Sequence, residues 1–111
     1  GYSRAVVAGP YIHVSGSTAT VDGVVQHPGD AYSQTLVAFS VIEKALAEGG
    51  HSLSDVVRTR IFLANEADME AVGRAHGELF SEIRPAATML AGIKFIDSAM
   101  LVEIEADSYK I

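Results

Sequence analysis

The chain has 111 residues, 49% of them hydrophobic and 20% charged, with only three prolines, which is the profile of a folded globular chain with one modest core, and we expect a single domain over residues 1–111. Fourteen acidic residues against eight basic ones leave a net charge of −6, and this disfavours nucleic acid, whose binding rests on clustered Lys and Arg. The lack of cysteine excludes disulfides, thiolate nucleophiles and sulfur-ligated zinc.

In chain order, "AVVAG" and "YIHVSGS" are short β-rich runs parted by Gly9-Pro10, a hairpin turn signal, so two opening strands are expected. "VDGVV" carries an Asp-Gly turn, and "HPGD" ends any strand before Asp30, a helix cap, so a helix should begin near Ala31. Leu36, Phe39, Ile42 and Leu46 follow at helical spacing and Gly49-Gly50 supplies the stop. "DVVRTRIFLAN" alternates with period two and reads as a central strand, with Val57, Thr59, Ile61 and Leu63 on one face and Val56, Arg58, Arg60 and Phe62 on the other. Met69, Val72, His76 and Leu79 mark a second helix from about Ala67 to Phe80, which Pro85 prevents from continuing. "ATMLAGI" and "MLVEIEADSY" close the chain as strands. Helices set between strands predict an α+β fold with both helices on one sheet face. The other face, expected to show Ala, Thr, Met and Val beside acids, then needs cover, and an oligomer would provide it.

On the last strand Glu103, Glu105 and Asp107 share one face while Val102, Ile104 and Ala106 share the other. Three neighbouring acids raise one another's pKa, which suits acid–base work; a solvated acidic edge is the plainer reading. His76 falls on the apolar stripe, where a neutral imidazole can act in proton transfer; the plainer reading is a packed histidine with one satisfied nitrogen. Arg58 and Arg60 read as solvated arginines on an outward face. His13, His27 and His51 lack metal-ligand spacing, so no metal is expected, and no phosphate loop or nucleophile elbow is present. Ser15, Ser17 and Thr18 have no paired base and read as ligand or turn hydroxyls. Without an apolar run of about 20 residues or a basic segment followed by an apolar one, no membrane partner is expected, and the location is expected to be cytoplasmic. The chain begins at Gly1 and not at Met, which leaves room for preceding residues.

Five segments in order, "GYSRAVVAG", "YIHVSGS", "DVVRTRIFL", "RPAATM" and "LVEIEA", span nearly the whole chain and resemble the RidA/YjgF family, also called the L-PSP endoribonuclease family. The resemblance implies a chorismate-mutase-like fold and a homotrimer in which the sheets form a central barrel, with small-molecule clefts between subunits and no cofactor. In the deaminase branch such clefts hydrolyse reactive enamines and imines such as 2-aminoacrylate, and the arginine of a Pro-Ala-Arg-Ser segment grips the substrate carboxylate. Here that segment is Pro85, Ala86, Ala87 and Thr88, so Ala87 stands where the arginine would be. Strand alternation would turn Arg84 away from the face of Ala87. The resemblance assigns Glu103 to water handling and Tyr2, Ser15, Gly16, Ala87 and Thr88 to the cleft; Gly16 has no side chain to block a close approach. Three functions follow from it: hydrolysis of an enamine- or imine-type metabolite other than the usual 2-imino acids, non-catalytic metabolite binding by a trimer, and endoribonuclease or translation-inhibitor activity. The acidic balance makes the last the weakest.

Overall fold

The computed structural model describes residues 1–111. Strands β1 (Ala5–Ala8) and β2 (Tyr11–Ser17) form the opening hairpin, followed by the short strands β3 (Thr20–Val21) and β4 (Val24–Val25). Helix α1 (Ala31–Glu48), strand β5 (Val56–Leu63), helix α2 (Met69–Phe80), strand β6 (Ala86–Ala91) and strand β7 (Val102–Tyr109) complete the order. The main sheet runs β1-β2-β7-β5-β6. It is mixed: β5 and β6 are parallel and joined through α2, and every other pair is antiparallel. Both helices cover one face, as the sequence predicts.

Local chemistry explains the punctuation. Asp22 and Gly23 have φ of 51° and 77°, the two left-handed positions that a tight hairpin needs and that Asp-Gly tolerates. Asp30 caps α1 by accepting from the Ser33 N–H at 3.0 Å and the Ser33 hydroxyl at 2.7 Å, and the Ser33 amide holds its carboxyl below the usual range. The Tyr32 hydroxyl donates to both Glu78 carboxylate oxygens at 2.9 Å and so ties α1 to α2. Accepting that bond, Glu78 pushes the phenol pKa up. A 3-10 turn, Glu66–Asp68, precedes α2, so the helix itself starts two residues later than its spacing suggests.

The core is a cluster of 16 buried residues that includes Ile12, Phe39, Ile42, Leu46, Ile61, Leu63, Val72 and Ile104. Phe39 packs edge-on to Phe80 at 5.1 Å between ring centroids and to His76 at 5.7 Å. His76 completes this junction by hydrogen bonding through Nε2 to Thr59 Oγ1 at 2.9 Å, which makes it the packed histidine that its place on the stripe predicts. Desolvation lowers its pKa below the ordinary 6.5. On α1 the buried stripe differs in part from the expected one: Leu36 is only half-buried, while Gln34, Thr35 and Ala38 are fully enclosed.

Two bulges correct the face assignments made by simple alternation. On β5 the ladder to β7 pairs Val56 with Ser108 and Arg58 with Asp107, leaving Val57 as the extra residue. Val56 is therefore buried beside Thr59, Ile61 and Leu63, and Val57 is exposed, the reverse of the expectation. On β2 the pairs Val14–Ala106 and Ser17–Ile104 leave Ser15 and Gly16 opposite one β7 residue, so Val14 and Ser17 both face the core. Two further expectations also change. Arg84 precedes β6 with φ of 54°, so alternation does not fix its direction. Met89 pairs with Ile61 and packs against the core, not on the uncovered face.

Truncation of Phe39 to alanine removes the ring that joins both helices to the sheet, and urea denaturation should show a loss of about 3–5 kcal/mol. His76 supplies a pH signature. Its folded pKa lies below its unfolded value, so its contribution is complete above 6.5 and is lost as the pH falls from there through the folded pKa, because the unfolded chain binds the proton more readily. His76→Gln, which keeps a polar partner for Thr59 but cannot titrate, should lose less stability than the parent over that acid range in pH-resolved thermal melts.

Candidate functional site

The alternation of β7 delivers the acids. Val102, Ile104, Ala106 and Ser108 are buried under the helices, and Glu103, Glu105 and Asp107 project to the uncovered face. Their surroundings separate them. Asp107 accepts from His13 Nδ1 at 2.8 Å and from Arg60 Nη1 at 3.2 Å, and Arg60 lies 3.8 Å from Glu105. The Glu103 carboxylate has no hydrogen-bond or ion-pair partner on the chain. Arg60 is thus the hub of a polar ladder across β2, β7 and β5, where solvated arginines were expected.

Glu103 instead lies against the β2 bulge. A methyl group at Gly16 would overlap the Glu103 carboxylate, with its Cδ only 2.8 Å away, so any larger residue there would push this side chain from its present place. The bulge is held from the chain's first residues. The Arg4 guanidinium donates to Ser15 Oγ and to the Gly16 carbonyl. The Ser15 amide donates to the Arg4 carbonyl at 3.0 Å, and the Ser15 hydroxyl reaches the Ser3 and Arg4 carbonyls at 3.0 Å.

A concavity of about 570 Å³ opens over this bulge. Of the sequence candidates, Tyr2, Ser15, Gly16 and Glu103 line it. Thr18 does as well, with its hydroxyl 2.7 Å from that of Thr20, whereas Ser17 is buried and donates to the Ser15 carbonyl as a turn hydroxyl. Ala87 and Thr88 do not line it. They sit on β6, separated from β7 by β5, roughly 10 Å away at two strand spacings. Ala87 pairs with Thr59 and turns towards the helix side, while Thr88 pairs with Arg60 and turns to the uncovered face.

The far wall of the cleft was not anticipated. It comes from the loop between β6 and β7, through Ile93, Lys94, Phe95, Ile96 and Met100, a stretch with no period in its sequence. Gln34, fully buried on α1, fastens this loop: its amide donates to the Ala99 carbonyl at 2.9 Å and accepts from the Leu101 N–H at 3.0 Å. Arg4 was also missed; it lies before β1, where no strand period marks it. No group of three or more His, Cys, Asp or Glu side chains could hold a metal ion, and no helix is long and apolar enough to cross a membrane.

The family model described as Endoribonuclease L-PSP matches residues 1–110. An uncharacterised protein of Streptomyces coelicolor is 46% identical over 110 residues, covering 99% of this chain and 82% of the relative. The 3-aminoacrylate deaminase RutC of Acinetobacter baylyi is 37% identical over 86 residues, covering 77% of this chain and 68% of the relative. A crystal structure of a Mycobacterium tuberculosis member of the YjgF/YER057c/UK114 family superposes with a TM-score of 0.87 at 41% identity, covering 98% of this chain and 86% of that one. With a family model over essentially its full length and relatives this close, the chain belongs to the L-PSP endoribonuclease family, the RidA/YjgF family that its signature segments resemble.

Proposed function

We propose that the chain hydrolyses a small, reactive enamine- or imine-type metabolite in the cleft over the β2 bulge, with Glu103 as the group that handles water. The observation that carries this reading is the contrast along β7: Glu105 and Asp107 are engaged by Arg60 and His13, and Glu103 alone is uncommitted while facing the cavity. A relative that is 37% identical carries the name 3-aminoacrylate deaminase, which supports chemistry at a carbon–nitrogen bond.

The chemistry needs one proton-shuttling carboxylate. An enamine first gains a proton on its β-carbon and loses one from nitrogen to become the imine; Glu103 then takes a proton from water as the oxygen adds to the carbon of the C=N bond, and passes that proton to nitrogen. The resulting carbinolamine loses its hydroxyl proton through the same carboxylate as the C–N bond breaks. Ammonia leaves and a carbonyl remains, so one water is consumed for each ammonia released. Tyr2, almost fully exposed on a single chain at 93%, supplies a phenol at the rim, and Gly16 lets the carboxylate sit deep against the strand. Ala87 in place of an arginine means that β6 offers no guanidinium to hold a 2-imino acid in the usual manner.

The cleft is completed by a second copy of the chain in a homotrimer whose uncovered sheet faces form a central barrel. Support comes from that face, where Val6 and Leu90 are 52% and 51% exposed beside the Arg60 ladder, and from Ala87 and Thr88, which lie on the opposite edge from the bulge. The surroundings this implies are a small-molecule ligand, no nucleic acid and a cytoplasmic location.

Two outcomes test this reading. Multi-angle light scattering at micromolar concentration should give three times the 11.7 kDa chain mass, and a monomer at every concentration would remove the second half of the cleft. Freshly generated enamines and imines should release ammonia and a carbonyl product, and Glu103→Gln should lower that rate by about 10²–10⁴ without changing the assembly. Binding without turnover by the parent protein would instead make it a metabolite-binding member of the family.

A further inference from the structure

Hydrolysis at Glu103 leaves open what holds the rest of the substrate, since Ala87 contributes no charge. Two cations line the cleft beside Glu103: Arg4 from the segment before β1 and Lys94 from the loop after β6. Neither has a carboxylate within ion-pair distance. Arg4 spends one terminal nitrogen on Ser15 Oγ and the Gly16 carbonyl, both neutral acceptors. That leaves its other N–H groups for a ligand, while the two bonds fix the direction of the guanidinium plane.

The charge count in this cleft is therefore two cations against one acid, on a chain whose net charge is −6. Arg4 also borders a neighbouring hollow that holds Asp22, Glu48 and Lys44, and neither of those acids comes within ion-pair distance of it. A local excess of positive charge attracts an anion even on a chain that is acidic overall. The half-buried side chains of Ile93, Phe95 and Met100 line the same wall as Lys94 and lower the dielectric on that side of the cleft.

Resting on the hydrolytic reading of Glu103, we propose that Arg4 and Lys94 are the specificity-determining residues of the cleft, selecting a small monocarboxylate and gripping it from the Glu103-bearing chain itself instead of from β6. The carboxylate lies between the guanidinium and the ammonium, with the carbon to be attacked turned towards Glu103. A ligand held at this end enters in a different orientation from one gripped by a guanidinium at position 87, because the anchor lies on the bulge side of β7 and not beyond β5.

The test is equilibrium binding of 2-oxobutanoate and of its primary amide, 2-oxobutanamide, two probes of nearly equal shape that differ in charge. The parent protein should bind the acid at least about tenfold more tightly than the amide, and this preference should shrink as salt rises. Lys94→Gln, an exposed loop substitution, and Arg4→Gln should each weaken the acid about tenfold and leave the amide unchanged, while Lys110→Gln, outside the cleft, changes neither. Arg4→Lys, which keeps the charge but not the guanidinium fork, should retain part of the preference, so a folding defect in Arg4→Gln does not decide the matter. Equal binding of acid and amide by the parent, binding of neither, or an acid preference that survives both Lys94→Gln and Arg4→Gln would overturn the proposal. Glu103→Gln separates the two readings: it should lower turnover by about 10²–10⁴ and keep the acid preference. A Glu103→Gln protein that still turns over substrate, with acid binding still dependent on Arg4 and Lys94, defeats the hydrolytic role alone.

Discussion

The structure depends on the period-two alternation of β7, which is paired on both edges and so cannot shift without breaking two ladders at once. A slip of one residue would put Glu103, Glu105 and Asp107 under the helices and Val102, Ile104 and Ala106 on the uncovered face. Burying three carboxylates in the place of three apolar side chains is prohibitive. The register that builds the core therefore also aims the acids, and the core and the candidate site are two faces of one strand.

Alternation aims the three acids alike, and their neighbours then make them different. The Arg60 ladder, with His13 at its end, engages Glu105 and Asp107. Glu103 falls one step further along, where the strand it faces on β2 has bulged and carries glycine. The bulge does two jobs. It lets Val14 and Ser17 both reach the core, and it opens the hollow in which a carboxylate sits against backbone. Arg4 fastens this irregularity to the chain's first residues, so the same guanidinium that braces the bulge also charges the cleft.

The cleft's second wall shows how an irregular segment can be held. The loop between β6 and β7 forms no helix or strand; the Ile93 N–H donates to the Leu63 carbonyl at 2.9 Å and the Leu101 carbonyl accepts from the Ala64 N–H at 3.0 Å, and the buried amide of Gln34 adds bonds to the Ala99 carbonyl and the Leu101 N–H. A buried glutamine without such partners would be costly, so the loop and the helix fix one another. The family likeness extends over this region, since the matched span runs to residue 110.

Much of this was legible in the sequence, because local physics decides it. Asp30 as a cap, Asp22-Gly23 as a left-handed turn, the stop at Gly49-Gly50, the alternation of β7 and the packed place of His76 all follow from spacing and backbone preference. Tyr2, Ser15, Gly16 and Glu103, which line one hollow, were named by the family resemblance and not by spacing, and the same resemblance named Ala87 and Thr88, which lie elsewhere. The rest required the tertiary structure. A bulge inserts a residue without any mark in composition, so Val56 and Val57 exchanged faces. Which of three equivalent acids stays free depends on Arg60 and His13, which approach from other strands. The cleft's cations lie 90 positions apart in the chain, at residues 4 and 94, and only the folding of β1, β2 and the β6–β7 loop around β7 brings them to one cavity. Sequence periodicity reports which way a side chain points; what it meets there is set by chain segments that periodicity does not connect.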